Sequence, residues 1–176
     1  MQKLILVLVA CLMALGAQAQ GLNLDSLKTI AQGLNGIEKA RYYKEIGFGY
    51  SRKQEYDSAA KYYNLTIPIA ESENALELLS QAYNGLGATY YSRGSYKSAI
   101  LYYELAIEFF QTDDKGKEIS MALINLGLAY KGINNYGKAV NNLQDGIKGL
   151  SPFGDYFSKY SSAIAYNALG NIHRAL

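Results

Sequence analysis

One histidine, one cysteine and a pair of adjacent aspartates are the groups from which this sequence could assemble a reactive or metal-binding centre. Catalysis needs a nucleophile, a base or a metal within reach of one another. His173 and Cys11 stand at opposite ends of the chain. With one of each, the common zinc patterns cannot be built. Asp113-Asp114 falls in a loop between helical stretches, and two carboxylates alone make a poor metal site. Gly47-Phe48-Gly49 lacks the third glycine and the preceding strand of a dinucleotide-binding loop. Asn64-Leu65-Thr66 spells a glycan acceptor, but it sits inside a helical pattern and is set aside. The expectation is a chain with no catalytic residue, no metal and no cofactor. Its chemistry is that of binding.

The N-terminus decides where binding would occur. Lys3, the apolar run Leu4 to Leu15 and the small-x-small site Ala17-Gln18-Ala19 form the three-part layout of a secretory signal peptide. The run is about 12 residues, short of the roughly 20 that a membrane span requires. Cleavage after Ala19 is expected, with residues 1–19 removed and the mature protein periplasmic or secreted. Leu8-Val9-Ala10-Cys11 also loosely matches a lipoprotein site, where acylation of Cys11 would tether the chain to a membrane. That alternative needs an unusually short apolar region, so soluble export is preferred. Formal net charge is +2, which gives no reason to expect a nucleic-acid partner.

Tyrosine is the compositional oddity, 17 of 176 residues with no tryptophan. An internal repeat explains it. Ile46-Gly47-x-x-Tyr50 aligns with Leu86-Gly87-x-x-Tyr90, Leu126-Gly127-x-x-Tyr130 and Leu169-Gly170-x-x-His173. The glycines lie 40, 40 and 43 residues apart. Tyr56, Tyr96 and Tyr136 follow in step, then Ala59, Ala99 and Ala139, then Tyr63, Tyr103 and Leu143, then the small residues Thr66, Ala106 and Gly146. Chance agreement of this kind has a probability on the order of 10⁻⁷ in a fixed register.

Apolar spacing within each unit is helical over Ala40 to Arg52, Ser80 to Arg93 and Ser120 to Lys131. Gly94 and Asn134 suit left-handed closure of the second and third of these helices; Gln54 takes that place in the first. Second helices should begin near Asp57, Tyr96 and Tyr136. Pro68 lies late in the first of them and should kink or end it. Glycine inside a helix costs about 0.8–1 kcal/mol against alanine. Four of them at equivalent places imply close approach of the second helix, opposite Ala59, Ala99 and Ala139. By the same register His173 should be packed like the tyrosines it replaces. Upstream, Leu24-Asp25-Ser26-Leu27 to Gly36 should form a short capping helix.

The pattern [LI]-G-x-x-Y, a turn, then Y-x-x-A-x-x-[YL]-[YN]-x-x-[ASTG] resembles the tetratricopeptide repeat from about Ala40 to the C-terminus. The resemblance implies an all-α, right-handed superhelical solenoid of antiparallel helix hairpins. It divides the chain into a capping segment 20–39 and units at about 40–79, 80–119, 120–162 and a partial 163–176. A period of 40 exceeds the family's usual 34 and suggests longer helices. Pro152 falls near the family's end-of-repeat proline. In this family the first helices line a concave groove, which here would hold Arg41, Lys44, Phe48 and Ser51, then Gln81, Asn84, Ala88 and Tyr91. Met121, Asn125, Leu128 and Lys131 would follow, with Asn167, Asn171 and Arg174 last. The lysine–asparagine clamp of the chaperone-binding members is not expected, because Phe48 and Gly85 stand where asparagine would be. The groove suits an extended, mildly acidic protein segment or peptide.

The fourth unit has a first helix, about Asp155 to Arg174, and no second. Tyr166, Leu169, Gly170 and Ile172 should then present an open face, although repeat arrays ordinarily finish on a polar one. Three readings follow: a longer parent protein, docking of this edge onto another chain (a second copy included), or an imperfect cap. Leu24-Asp25-Ser26-Leu27 just after a signal peptide also resembles the start of exported repeat regions joined to bacterial membrane histidine kinases and transcriptional regulators. The reading is therefore an exported, non-enzymatic scaffold for a protein or peptide. Its alternative is a truncated extracytoplasmic sensor region, the one case besides acylation at Cys11 in which a membrane would be involved.

Overall fold

The computed structural model describes residues 23–112 and 115–176, the side chain of Thr112 excepted. The signal-peptide segment, Cys11 and Asp113-Asp114 lie outside the described residues. Within them the chain runs as helices α1 (Leu24–Gln32), α2 (Gly36–Arg52), α3 (Tyr56–Ser72), α4 (Leu76–Ser92), α5 (Tyr96–Thr112), α6 (Gly116–Gly132), α7 (Tyr136–Leu150) and α8 (Tyr156–Ala175). No strand occurs among the described residues.

The hairpin starts recur at Gly36, Leu76, Gly116 and Tyr156, a constant step of 40 that the glycine register obscures. First helices begin four residues earlier than the apolar pattern suggested. Ile37, Leu79 and Ile119 belong to the buried stripe and pack against the core clusters, so the extra turn is held by packing. α8 makes up the difference between 40 and 43 with an added turn at its start, capped by Asp155, whose carboxylate accepts from the N–H groups of Phe157 and Ser158. α1 ends at Gln32, with Gly33 as its C-cap. Leu24 and Ala31 are buried beside Ile46 of α2.

Turns close as their residues dictate. Gly94 has φ 76° and Asn134 φ 58°, both left-handed. Gln54 adopts the same geometry at φ 62° without the residue type that favours it. Pro68 neither ends α3 nor shortens it; the helix continues to Ser72. The proline is exposed, so the Asn64 carbonyl it leaves unbonded faces water.

Each helix packs on the next, and first helices also touch one another: α2 on α4, α4 on α6, α6 on α8. Among the described residues no second helix touches another second helix. First helices are therefore the inner wall of the solenoid and second helices the outer wall.

Glycine marks the closest approaches within hairpins. A Cβ on Gly47 would meet Tyr63 at 3.2 Å and the Ala59 carbonyl at 3.3 Å; on Gly87, Tyr103 at 2.6 Å; on Gly127, Leu143 at 2.8 Å and the Ala139 carbonyl at 3.0 Å. The expected close approach thus holds for three units. Gly170 is different: nothing lies within 4 Å of its Cβ position. Tyrosines fill the remaining space, Tyr50 stacking on Tyr62 at 5.6 Å and Tyr90 on Tyr102 at 5.2 Å.

Candidate functional site

The inner wall is concave between α2 and α4. A cavity of about 500 Å³ is lined by Lys44, Glu45, Phe48, Ser51 and Arg52 from α2, by Gln81, Asn84, Gly85 and Ala88 from α4, and by Tyr63 at its floor. Four of the anticipated binding residues, Lys44, Phe48, Gln81 and Asn84, converge here together with Ser51 and Ala88. Phe48 is 48% exposed, a large ring left in water beside polar neighbours.

Lys44 Nζ donates to Gln81 Oε1 at 3.1 Å and lies 2.8 Å from Glu45 Oε1. Its charge is thus partly met from within the protein, by a neighbour that the sequence reading passed over. Residues one apart on a helix ordinarily point to different faces; two long side chains close that gap here. Gln81 also donates from Nε2 to Glu77 Oε1 at 3.1 Å. Ser51 and Thr89 approach through their hydroxyls at 3.4 Å. Asn84 Oδ1 is buried and has no hydrogen-bond partner.

Gly85 has no counterpart in the repeat, and its function is local. The Tyr63 ring lies 2.4 Å from where its Cβ would stand, so any side chain would push the ring out of the cavity floor. Burial pushes the Tyr63 phenol well above its ordinary range. This glycine two residues before Gly87 was the sequence signal available for the floor.

Arg41 lies outside this cavity, lining a neighbouring one of about 340 Å³ with Ile37, Asn74, Glu77 and Gln81. Its nearest charge partner is Glu38, at 3.8 Å. Tyr91 is half-buried and packs edge-on against Tyr96 at 5.4 Å, making it chiefly part of the core. Asn125 and Lys131 are half-buried on α6 and do not line the cavity. Asn167, Asn171 and Arg174 form a chain of side-chain hydrogen bonds on α8, Asn171 Nδ2 donating to Asn167 Oδ1 at 3.1 Å and Arg174 donating to Asn171 Oδ1. The anticipated single groove is thus built mainly from α2 and α4.

At the far edge the open face differs from the expectation. Ile172 is buried with Ala165 and Ala168 against Leu150, since these positions share one stripe of α8. Leu169 is half-buried, whereas Tyr166 and Gly170 are exposed. His173, expected in the core, is exposed as well, because no helix among the described residues covers its position. Among the described residues no group of three or more His, Cys, Asp or Glu could hold a metal ion. No helix among them is long and apolar enough to cross a membrane.

The tetratricopeptide repeat family model matches residues 38–112 and 78–150. No curated protein sequence matches the chain. Among solved structures, the apo form of RapI is similar with a TM-score of 0.70 at 16% identity, over 78% of this chain and 39% of that one. Aspartyl phosphate phosphatase F from Bacillus subtilis has a TM-score of 0.72 at 17% identity, over 90% of this chain and 45% of that one. For the TPR domain of Arabidopsis FLU the values are 0.63 and 21%, over 65% of this chain and 97% of that one. The chain spans less than half the length of the first two. At these identities the likeness is one of fold.

Proposed function

The chain belongs to the tetratricopeptide repeat family, a scaffold fold for protein interactions, and on that premise we propose that it binds an extended, mildly acidic protein segment between α2 and α4, outside a bacterial cytoplasm. The observation that carries this reading is the Lys44–Phe48–Gln81–Asn84 cavity. It combines an exposed ring, a cation and a buried acceptor lacking a donor. An unpaired buried acceptor costs about 1–3 kcal/mol. A turn of the Asn84 amide would offer it to a backbone N–H of an extended segment. A carboxylate on that segment would compete with Glu45 for Lys44, and Phe48 would cover an apolar side chain. The scaffold is non-enzymatic in this reading. Export rests on Lys3, the apolar run and Ala17-Gln18-Ala19.

Selection of a random peptide library on the purified protein tests the proposal. The expected outcome is a consensus with an apolar residue beside a carboxylate, bound by the native protein and weakened by charge reversal at Lys44. A consensus without carboxylates, or unchanged affinity of the Lys44→Glu variant, would count against it.

A second reading is favoured by one sequence feature. Leu24-Asp25-Ser26-Leu27 opens α1, as in exported regions joined to membrane histidine kinases and regulators. Coding sequence downstream that specifies an apolar run of about 20 residues would support a sensor region; further repeats without such a run would favour the scaffold alone.

A further inference from the structure

At the floor of the α2–α4 cavity a side chain of the outer wall reaches the inner one. Tyr63 starts on α3, and its ring passes α2 with Cδ1 and Cε1 each 3.2 Å from where a Cβ on Gly47 would stand. It continues to α4, where Cζ, the carbon that bears the hydroxyl, occupies the space a side chain on Gly85 would need. Two glycines, one on each first helix, thus leave a slot for the ring between α2 and α4. Neither of the next two hairpins repeats this. Tyr103 meets Gly87, but the position 40 residues after Gly85 is Asn125, and the third hairpin has Leu143, with no hydroxyl.

Packing alone does not account for the hydroxyl. Tyr63 is 4% exposed and lines the cavity, and nothing among the described residues is hydrogen-bonded to its phenol. A phenylalanine would fill the slot equally well and spare the cost of burying a hydroxyl unpaired. Asn84, the residue before Gly85 on α4, holds a second polar atom in the same state, its Oδ1 buried without a donor. A donor from α3 and an acceptor from α4 thus stand unused at one floor. Their partner is a neutral group: Glu45 lies close enough for its charge to bear on the phenol, and a ligand carboxylate there would meet that charge. Resting on the groove reading above, we propose that Tyr63 and Asn84 are the specificity-determining pair of this cavity and bind one amide group of the segment. Tyr63 donates its O–H to the amide carbonyl, and the Asn84 side chain accepts the amide N–H. A backbone peptide unit and the side chain of an Asn or Gln both carry that chemistry.

The probe is the consensus peptide from the library selection, titrated calorimetrically into the full chain. Tyr63→Phe keeps the ring in its slot and removes the hydroxyl alone. It should lower affinity about tenfold and leave the urea midpoint unchanged or higher. A peptide series in which each backbone amide in turn becomes an ester, or each Asn or Gln becomes Ala, identifies the amide. At one position the change should weaken binding to the native chain about tenfold and to the Tyr63→Phe chain little. Asn84→Leu should couple to that same position. Coupling to an ester assigns a backbone unit and coupling to a side chain an Asn or Gln; either supports the pair. Equal affinity of the native and Tyr63→Phe chains would overturn the proposal, as would an effect of Tyr63→Phe coupled to no amide, or Asn84→Leu coupling elsewhere. A Tyr63→Phe chain of lowered stability would give the hydroxyl a structural role, also overturning it. So would coupling to a peptide Asp or Glu, which would assign the floor to a carboxylate. Lys44→Glu separates the two readings: weakened binding there, with Tyr63→Phe unchanged, keeps the groove and removes the pair. A library that yields no peptide removes both.

Discussion

The ring of Tyr103 occupies the space in which a side chain on Gly87 would begin, its Cδ1 2.6 Å from the vacant Cβ position. One aromatic from the second helix thus fixes how closely the two helices of a hairpin approach. Tyr63 repeats the relation at Gly47, the aliphatic Leu143 takes the same place at Gly127, and it lapses at Gly170.

The same substitution should therefore act with opposite sign in different units. Gly87→Ala gains up to about 1 kcal/mol of helix propensity but forces overpacking that costs about 1–3 kcal/mol, for a net loss. Gly170→Ala, in open space, should stabilise by up to about 1 kcal/mol. Urea denaturation of both variants checks the pair, and a loss at Gly170 would contradict the packing account.

Gln54 holds a left-handed conformation at φ 62° where the next two units place Gly94 and Asn134. Gln54→Gly should raise stability by roughly 0.5–1 kcal/mol, the backbone relief outweighing the added freedom of the unfolded chain. Thermal melting measures it.

Asp155 accepts hydrogen bonds from Lys117 and from Ser158, and these hold its carboxyl well below the usual carboxylate range. A depressed folded pKa means stabilisation that is fully present above the ordinary value of 3.8. It is lost as pH falls below that value towards the folded pKa. Asp155→Asn should destabilise the chain at neutral pH and flatten its acid limb below about pH 4. Equal acid profiles for the two proteins would show that the α8 cap carries no such linkage.

Export predicts a processed chain. Expressed in a Gram-negative host, the protein should be recovered from the periplasm with an intact mass matching residues 20–176. A mass that includes residues 1–19, or an acylated Cys11 at the N-terminus, would replace soluble export with retention or lipidation.

The hairpin order, the turn residues Gly94 and Asn134, and the meaning of Gly47, Gly87 and Gly127 were legible in the sequence because each repeats in register. Features set by packing between elements were hidden. The early starts of α2, α4 and α6 depend on packing of Ile37, Leu79 and Ile119, which the apolar count alone does not weigh. Pro68 reads as a breaker until its exposure is known. Lys44 was legible as a groove residue, but its engagement by Glu45 and Gln81 depends on rotamers and on a neighbouring helix. Tyr63 was legible as a core tyrosine; that its ring also floors the cavity depends on Gly85, a glycine outside the repeat. His173 was misplaced because its register was carried over from units whose tyrosines are covered by a second helix; Ile172 was misplaced because it lies on the stripe of α8 that packs on the preceding hairpin rather than on the open stripe.

Hydrogen exchange of the full chain, with and without a peptide selected from the library, tests the binding account most directly. Protection confined to the inner faces of α2 and α4 around Lys44, Phe48, Gln81 and Asn84, and absent from a Lys44→Glu variant, is the predicted result. Protection confined to α3 and α5, or to α8, with α2 and α4 unchanged, would contradict it.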